Sequence, residues 1–217
     1  MHYSEEFLRY GMEINALRFG DMELKSRRIS PYFFDSGRWR LGTSITRLGK
    51  AYANLISESF PKLPDVIFGP AYKGIPISVA VAMVLGDVGY AYNRKEAKDH
   101  GEGGIIIGEP LNGKNVIIVD DVMTTGDSCS EAIEIVRAQG GSPVGCVIAF
   151  DRQEKGINSD GKDTEFSAVQ DFQQKYKIPV RAVATLDDLI ALLQSDPTEA
   201  SFTILQRILD YKKKYGA

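Results

Sequence analysis

One stretch, residues 116–128, constrains the fold of this chain more than any other. It begins with the apolar run 116–119, continues with the adjacent carboxylates Asp120 and Asp121, and ends in a turn of small residues at 124–128. Apolar side chains then recur at helical spacing, at Cys129, Ala132, Ile133 and Val136. This order of strand, acidic pair, polar turn and helix is typical of an open α/β sheet, in which ligands bind at the carboxyl ends of the strands.

The chemistry of this stretch predicts a ligand that carries both phosphate and hydroxyl groups. A turn of Thr, Gly and Ser residues that opens a helix presents backbone N–H groups and the positive end of the helix dipole to an anion. Asp120 and Asp121 cannot bind that phosphate directly, but they suit sugar hydroxyl groups or a divalent cation. We therefore expect a phosphorylated sugar, bound together with a metal ion.

Helix and strand patterns alternate along the chain. Helical spacing predicts helices at 1–18, 41–59, 75–85, 128–139, 166–176, 186–193 and 202–211. Short apolar runs predict strands at 22–25, 29–34, 65–69, 89–93, 114–119, 144–150 and 178–184. Residues 93–104 and 151–164 are predicted as polar loops. The alternation predicts an α/β fold with a central, mostly parallel sheet flanked by helices.

Composition and charge exclude several classes of protein. A net charge of −3 and a pI of about 5.5 argue against a nucleic-acid-binding surface, which needs a basic face. No apolar run approaches the roughly 20 residues that cross a bilayer, and no signal pattern opens the chain, so we expect a cytoplasmic protein without a membrane partner. The two cysteines, Cys129 and Cys146, are predicted to be small buried residues rather than a disulfide or a metal site.

Three other polar segments follow predicted strands and should meet the acidic pair at one edge of the sheet. Residues 93–104 carry three glycines and the side chains of Arg94, Lys95, Lys98 and His100. Such a basic segment beside a phosphate site is typical of a lid that closes over a polyphosphate, although a solvated surface loop has the same composition. Lys73 could reach the same anion. Arg152 could grip a carboxylate with two hydrogen bonds, which suggests a second, carboxylate-bearing ligand.

Other chemistries fit the sequence less well. It contains no Gly-x4-Gly-Lys-Ser/Thr motif, and no Gly-x-Gly-x-x-Gly opens a helix. Its two histidines, His2 and His100, form no recognisable triad with a serine or cysteine. Asp120 and Asp121 are neighbours on one strand end and point to different sides, whereas a glycosidase needs two carboxylates that face each other across a bond.

Residues 119–126, Val-Asp-Asp-Val-Met-Thr-Thr-Gly, resemble the phosphoribosyl-pyrophosphate (PRPP) motif of the type I phosphoribosyltransferases. A narrower resemblance, to the orotate phosphoribosyltransferases, rests on residues 24–26, 30–34, 68–76, 93–104 and 150–154. It implies a single domain over residues 1–217, with a small N-terminal hood at about 1–40, a core at about 60–195 and a C-terminal helix at about 198–215. It also implies transfer of a phosphoribosyl group from PRPP to orotate, a step of de novo pyrimidine biosynthesis that needs Mg²⁺.

The resemblance assigns a role to each matching position. PRPP contacts are expected from Lys25, Tyr72, Lys73, Arg94, Lys95, Lys98, His100, Asp120, Asp121, Val122, Met123, Thr124, Thr125, Gly126, Asp127 and Ser128. Orotate contacts are expected from Phe33, Phe34, Thr124 and Arg152. Catalytic roles fall to Arg94, Lys98, Asp120 and Asp121. Mg²⁺ would be carried by PRPP and would reach Asp120 or Asp121 through water.

The resemblance further implies a homodimer in which the lid, residues 94–104, serves the neighbouring subunit. Three positions depart from the family pattern: Arg27 stands where glycine is frequent, and Thr125 and Asp127 replace smaller or neutral turn residues. Asp127 is expected to point away from the phosphate and to cap the helix at 128. Two alternatives remain open, a phosphoribosyltransferase for a purine or uracil, and a regulator that binds PRPP without catalysis.

Overall fold

The computed structural model describes residues 2–24, 26–98, 104–158, 160–196 and 198–217. Its helices are α1 Tyr3–Glu13, α2 Gly42–Ser59, α3 Gly74–Leu85, α4 Asp127–Ala138, α5 Ala168–Tyr176, α6 Leu186–Gln194 and α7 Glu199–Tyr215. Its strands are β1 Leu17–Glu23, β2 Ile29–Phe34, β3 Val66–Gly69, β4 Gly89–Lys98, β5 Gly104–Gly108, β6 Asn115–Val122, β7 Ser142–Asp151, β8 Lys155–Ile157, β9 Asp163–Ser167 and β10 Val180–Thr185. A short 3-10 helix, Ser36–Arg38, follows β2.

A six-stranded sheet in the order β10-β7-β6-β3-β4-β5 forms the centre of the molecule. All of its neighbouring pairs are parallel except β4 and β5, which pair antiparallel at one edge. The predicted α/β class and mostly parallel sheet are thus confirmed. Because parallel strands share a direction, β3, β6 and β7 end at the same edge of the sheet.

Side chains of the central strand β6 alternate between two hydrophobic cores, as the two-residue period of a strand requires. Ile117 and Val119 pack into the larger core, which also takes residues from α1, α2, α6 and α7. Val116 and Ile118 pack into the smaller core beneath α4 and α5. Both faces of the sheet are therefore covered, which explains why β6 has the nearly continuous apolar sequence of a buried parallel strand.

The N-terminal helix is shorter than predicted. It ends at Glu13 and not at residue 18, because Asn15 adopts a left-handed conformation with φ of +57°. Leu17 already belongs to β1 and pairs with Phe34 of β2. The apolar residues at 14–17 fit a helix and a strand equally well, so periodicity alone could not place this boundary.

Two segments predicted as loops contain antiparallel pairs. In the segment 93–104, β4 continues to Lys98 and pairs with β5, a strand that was not predicted; residues 99–103 lie outside the described part of the chain. In the segment 151–164, β8 pairs with β9, and Phe166 belongs to β9 rather than to the following helix. The end of β4 and the strands β8 and β9 are polar and are stabilised by cross-strand backbone hydrogen bonds, which leave no apolar period in the sequence. β5 is instead a short apolar run, Gly-Ile-Ile-Ile-Gly.

Cys129 and Cys146 are buried and free, as predicted. Among the described residues, no helix is long and apolar enough to cross a membrane.

Candidate active site

The acidic pair lies within the last residues of β6, because the strand continues to Val122, three residues beyond the predicted end at 119. Asp120 is only 6% exposed, and its carboxylate accepts a hydrogen bond from the backbone N–H of Asp121 at 2.9 Å. Burial, and then the charge of Asp121, raises the pKa of Asp120 to about 6 against an ordinary value of 3.8, while a hydrogen bond from Ser128 opposes the shift. The buried hydroxyl of Tyr52 on α2 donates to the Asp120 carbonyl at 2.8 Å and fixes the strand end.

The turn after β6 has the form of an anion-binding site. Gly126 precedes α4 with φ of +79°, a left-handed conformation that favours glycine, and no side chain caps the helix. The first N–H groups of α4 therefore remain as donors for an anion. Thr124, Thr125 and Ser128 are exposed around this helix end.

The predicted role of Asp127 as a helix cap is wrong. Asp127 is the first residue of α4, and the cap position belongs to Gly126. The Asp127 carboxylate instead accepts a hydrogen bond from the Thr125 hydroxyl at 2.7 Å. The two departures from the family pattern in this turn thus bind each other.

The loop that follows β3 is packed too tightly for side chains at its two glycines. A Cβ on Gly69 would overlap the carbonyl oxygen of Gly74. The backbone N–H of Ala71 donates to the side chain of Asn93 on β4 at 3.0 Å, and the Ala71–Tyr72 peptide bond is cis. This loop presents Lys73 to the edge where β6 ends.

Lys73 and Asp121 are joined by a residue that the sequence did not single out. The Ser36 hydroxyl donates to Asp121 Oδ2 at 2.5 Å and accepts a hydrogen bond from Lys73 Nζ at 3.0 Å. Ser36 opens the short helix after β2, so the N-terminal hairpin reaches the same edge of the sheet.

The described part of the lid lies on β4. Lys95 Nζ lies 4.7 Å from the centre of the exposed Tyr72 ring, a cation–π contact that joins the lid to the β3 loop. Arg94 is partly buried, and Lys98 is the last residue of β4. The predicted site residues Lys25 and His100 lie outside the described residues.

The two phenylalanines expected at the orotate ring point to opposite sides of β2. Phe34 is 9% exposed and packs in the core, with its ring centre 5.5 Å from that of Phe150. Phe33 is partly exposed, and its ring lies 5.5 Å from the Arg18 guanidinium. Of the two rings, Phe33 is therefore the one placed to border a ligand.

Arg152 is held by a carboxylate of the chain itself. Its Nε donates to Glu154 Oε1 at 2.8 Å, and a second guanidinium nitrogen lies 2.9 Å from the Ser30 hydroxyl. The guanidinium also stacks over Tyr32, 4.3 Å from the ring centre. These contacts fix the orientation of Arg152 at the end of β7, on the edge that carries Asp121.

Arg27 adopts φ of +60°, the left-handed conformation for which glycine is suited. A non-glycine residue in this conformation carries some backbone strain.

The structure thus brings the 124–128 turn, Asp120, Asp121 and Lys73 to one edge. It adds Ser36 and Tyr52, which lie outside the segments that carry the resemblance, and gives contacts to Asn93 and Glu154, which lie within them but had no assigned role.

Residues 42–181 match the family described as the phosphoribosyl transferase domain. This range runs from the start of α2 into β10 and includes the acidic pair and its turn. The chain therefore belongs to the phosphoribosyltransferases.

Full-length relatives define the family more narrowly. The chain is 48% identical to the orotate phosphoribosyltransferase of Nitrosococcus oceani, over 99% of this chain and 96% of that one. It is 45% identical to that of Marinobacter nauticus, over the whole of both chains. The crystal structure of the Francisella tularensis orotate phosphoribosyltransferase matches with a TM-score of 0.85 and 35% identity, over 98% of this chain and 100% of that one. Within its class, the chain is a member of the orotate phosphoribosyltransferase family.

Proposed function

We propose that the chain transfers the 5-phosphoribosyl group of PRPP to orotate, giving orotidine 5′-monophosphate and pyrophosphate in de novo pyrimidine (UMP) biosynthesis. The observation that carries the proposal is the meeting of an anion-binding turn, two carboxylates and Lys73 at one edge of the sheet. Relatives over the full length of the chain are orotate phosphoribosyltransferases, which supports orotate as the acceptor.

The reaction needs stabilisation of charge more than proton transfer. Orotate is an anion, and its ring nitrogen N1 supplies the electron pair of the new bond to the anomeric carbon and gives up its proton to the departing pyrophosphate. The bond to pyrophosphate breaks and its electrons leave with that group, so the ribosyl ring becomes positive. Asp120 and Asp121 bind the ribose hydroxyls in this proposal, and nearby carboxylates favour a positive ring.

The cations take the charge that develops on the leaving group. Lys73 lies at the edge of the sheet beside Asp121, and the lid residues Arg94, Lys95, Lys98 and His100 close over the pyrophosphate. The 5′-phosphate sits on the 124–128 turn, whose helix end supplies N–H donors. The two ends of PRPP are thus bound by different elements, with the reacting carbon between them.

Mg²⁺ is part of the proposal as an ion that PRPP carries. Among the described residues, no group of three or more His, Cys, Asp or Glu side chains converges on a common point. Asp120 and Asp121 offer the carboxylate oxygens that Mg²⁺ prefers, and Mg²⁺ keeps several waters beside substrate phosphates. This donor set fits an ion that takes most of its ligands from water and PRPP and neutralises the leaving group.

Arg152 supports orotate over a neutral base. Its guanidinium is oriented by Glu154 and stacked on Tyr32 at the edge that carries the site. A planar guanidinium pairs well with a carboxylate, which orotate has and uracil and the purines lack. An acceptor base without a carboxylate would leave Arg152 with only its contacts to Glu154, Ser30 and Tyr32.

We propose a homodimer in which the lid serves the neighbouring subunit. Helix α3 is apolar on all sides, and such a helix is normally buried all round. Its outer face nevertheless exposes Met83, at 79%, and Val84. A second copy would cover this face.

A cytoplasmic location completes the proposal. The thiols of Cys129 and Cys146 are free although their sulfurs lie 3.2 Å apart, which suits a reducing compartment.

Purified protein with PRPP, Mg²⁺ and orotate should deplete the orotate absorbance. Parallel reactions contain uracil or hypoxanthine. Turnover with one of those bases and none with orotate would show that the acceptor is wrong. PRPP binding without turnover of any base would favour the regulator.

A further inference from the structure

The hydroxyl of Ser36 joins the two halves of the proposed PRPP site. Lys73 approaches it from the loop after β3, on the pyrophosphate side, and Asp121 approaches it from the end of β6, on the ribose side. Ser36 itself comes from the turn after β2. Three segments that are distant in sequence therefore meet at one oxygen atom.

The directions of the two hydrogen bonds follow from the groups involved. An ammonium can only donate, so the Ser36 oxygen accepts from Lys73. Asp121 accepts at both carboxylate oxygens, from the Val122 N–H at 2.9 Å and from Ser36 at 2.5 Å. Each bond of the hydroxyl thus has one charged partner, and such bonds are roughly twice as strong as neutral ones.

The turn that carries Ser36 is itself well held. Asp35 accepts a hydrogen bond from the Gly37 N–H at 3.0 Å and another from Arg38 Nε at 3.3 Å. A Cβ on Gly37 would lie 3.4 Å from Lys73 Nζ, so the ammonium rests directly against this turn. Lys73 is otherwise exposed, and the turn is what fixes the position of its charge.

We propose that Ser36 is a positioning residue for PRPP, an inference that rests on the proposed function. In a direct ion pair, Lys73 and Asp121 would bind each other, and neither group would be available to its part of PRPP, the pyrophosphate for Lys73 and the ribose for Asp121. The shared hydroxyl holds both groups in place and keeps them one oxygen apart. PRPP then binds to a lysine that is already ordered, so binding does not have to overcome the conformational entropy of that long side chain.

The test compares Ser36→Ala with Ser36→Thr, which keeps the hydroxyl. Ser36→Ala should raise the KM for PRPP roughly tenfold and leave the KM for orotate within about twofold, because one charge-assisted contact on the PRPP side is lost. Ser36→Thr should restore the KM for PRPP. Thr203→Ala, which removes an exposed hydroxyl on α7, is the matched control.

An unchanged KM for PRPP in Ser36→Ala would overturn the inference, as would a failure of Ser36→Thr to restore it. Equal rises of both KM values with a lower melting temperature would indicate a structural role only, and would overturn it too. Calorimetric titration of PRPP with Mg²⁺ separates this inference from the proposed function. If the unaltered protein fails to use orotate, the function is wrong, but weaker PRPP binding by Ser36→Ala still supports the role of Ser36.

Discussion

At the scale of single residues, Asp120 is a residue of the proposed site whose buried charge lowers stability. Burial, and next the charge of Asp121, raises its pKa from 3.8 to about 6 in the folded protein. Between those two values the folded state binds more protons than the unfolded state. Stability therefore falls as the pH rises through this window, and the whole cost is present above the folded pKa.

Asp120→Asn should accordingly stabilise the protein while it removes activity. At about pH 7.5 we expect a gain of roughly 1–3 kcal/mol in the free energy of unfolding, because the amide has no charge to bury. The gain should vanish near pH 4 and below, where the native carboxyl is already neutral. Urea unfolding at both pH values measures the difference, with the exposed Asp87→Asn as control. Equal stability of Asp120→Asn and the unaltered protein at about pH 7.5 would refute the prediction.

The proposed site could be recognised in the sequence only where its residues are neighbours along the chain. The acidic pair and its turn lie in one continuous stretch, so strand, charge and helix could be recognised together. Ser36 lies 85 residues from Asp121, and Tyr52 lies 68 residues from Asp120. A serine or tyrosine acquires such a role only through long-range folding, and no spacing rule predicts it. Phe34 differs from Phe33 for the same reason, since the core decides which face of β2 is buried.

At the scale of elements, the parallel strands and β2 were predictable, whereas the antiparallel pairs β4–β5 and β8–β9 were not. Parallel strands are buried on both faces, which leaves long apolar runs such as that of β6. The end of β4 and the strands β8 and β9 contain charged residues, and their stability comes from backbone pairing and from contacts made after folding, so their sequences resemble loops. β5 is a run of only three isoleucines between glycines, too short to show a period.

The β4–β5 pair carries the lid, and Lys98 is the residue at which β4 ends. Lys98→Ala should lower kcat far more than it weakens PRPP binding, because the lid acts on charge that grows as pyrophosphate leaves. Steady-state kinetics and PRPP titration measure the two effects separately. Lys114→Ala, which removes a partly exposed cation before β6, is the control. Weaker binding with unchanged kcat would contradict a role in the transition state.

The β8–β9 hairpin is attached to the N-terminal part of the chain through Arg28, which is 6% exposed. Its guanidinium donates to Asp163 at 2.6 Å and to the Lys155 carbonyl at 3.0 Å. Arg28→Met keeps much of the volume and removes these bonds, so we expect a loss of roughly 1–3 kcal/mol of stability. In this variant, backbone amide hydrogen exchange should accelerate more in β8 and β9 than in the other strands. Arg137→Met, on the exposed side of α4, should change neither measurement.

At the scale of the whole molecule, the sequence defined the layers but not the assembly. Alternating helices and strands require two covered faces, and the structure has them. Helix α3 exposes Met83 and Val84 although its sequence is apolar on all sides. Sequence periodicity cannot distinguish a helix buried in its own core from one buried by a partner, because both are apolar all round.

Mixing two inactive variants tests whether the lid acts across subunits. Asp120→Asn disables the site of its own chain, and Lys98→Ala disables the lid that serves the partner. In a mixed dimer, the intact Asp120 of one chain meets the intact lid of the other, so one of its two sites works. Equal mixing with subunit exchange should restore about a quarter of the unaltered activity, since half of the dimers are mixed. Mixing Lys98→Ala with Arg94→Ala should restore nothing, because every site then faces a damaged lid. No recovery in the first mixture, once subunit exchange is verified, would show that each lid serves its own chain.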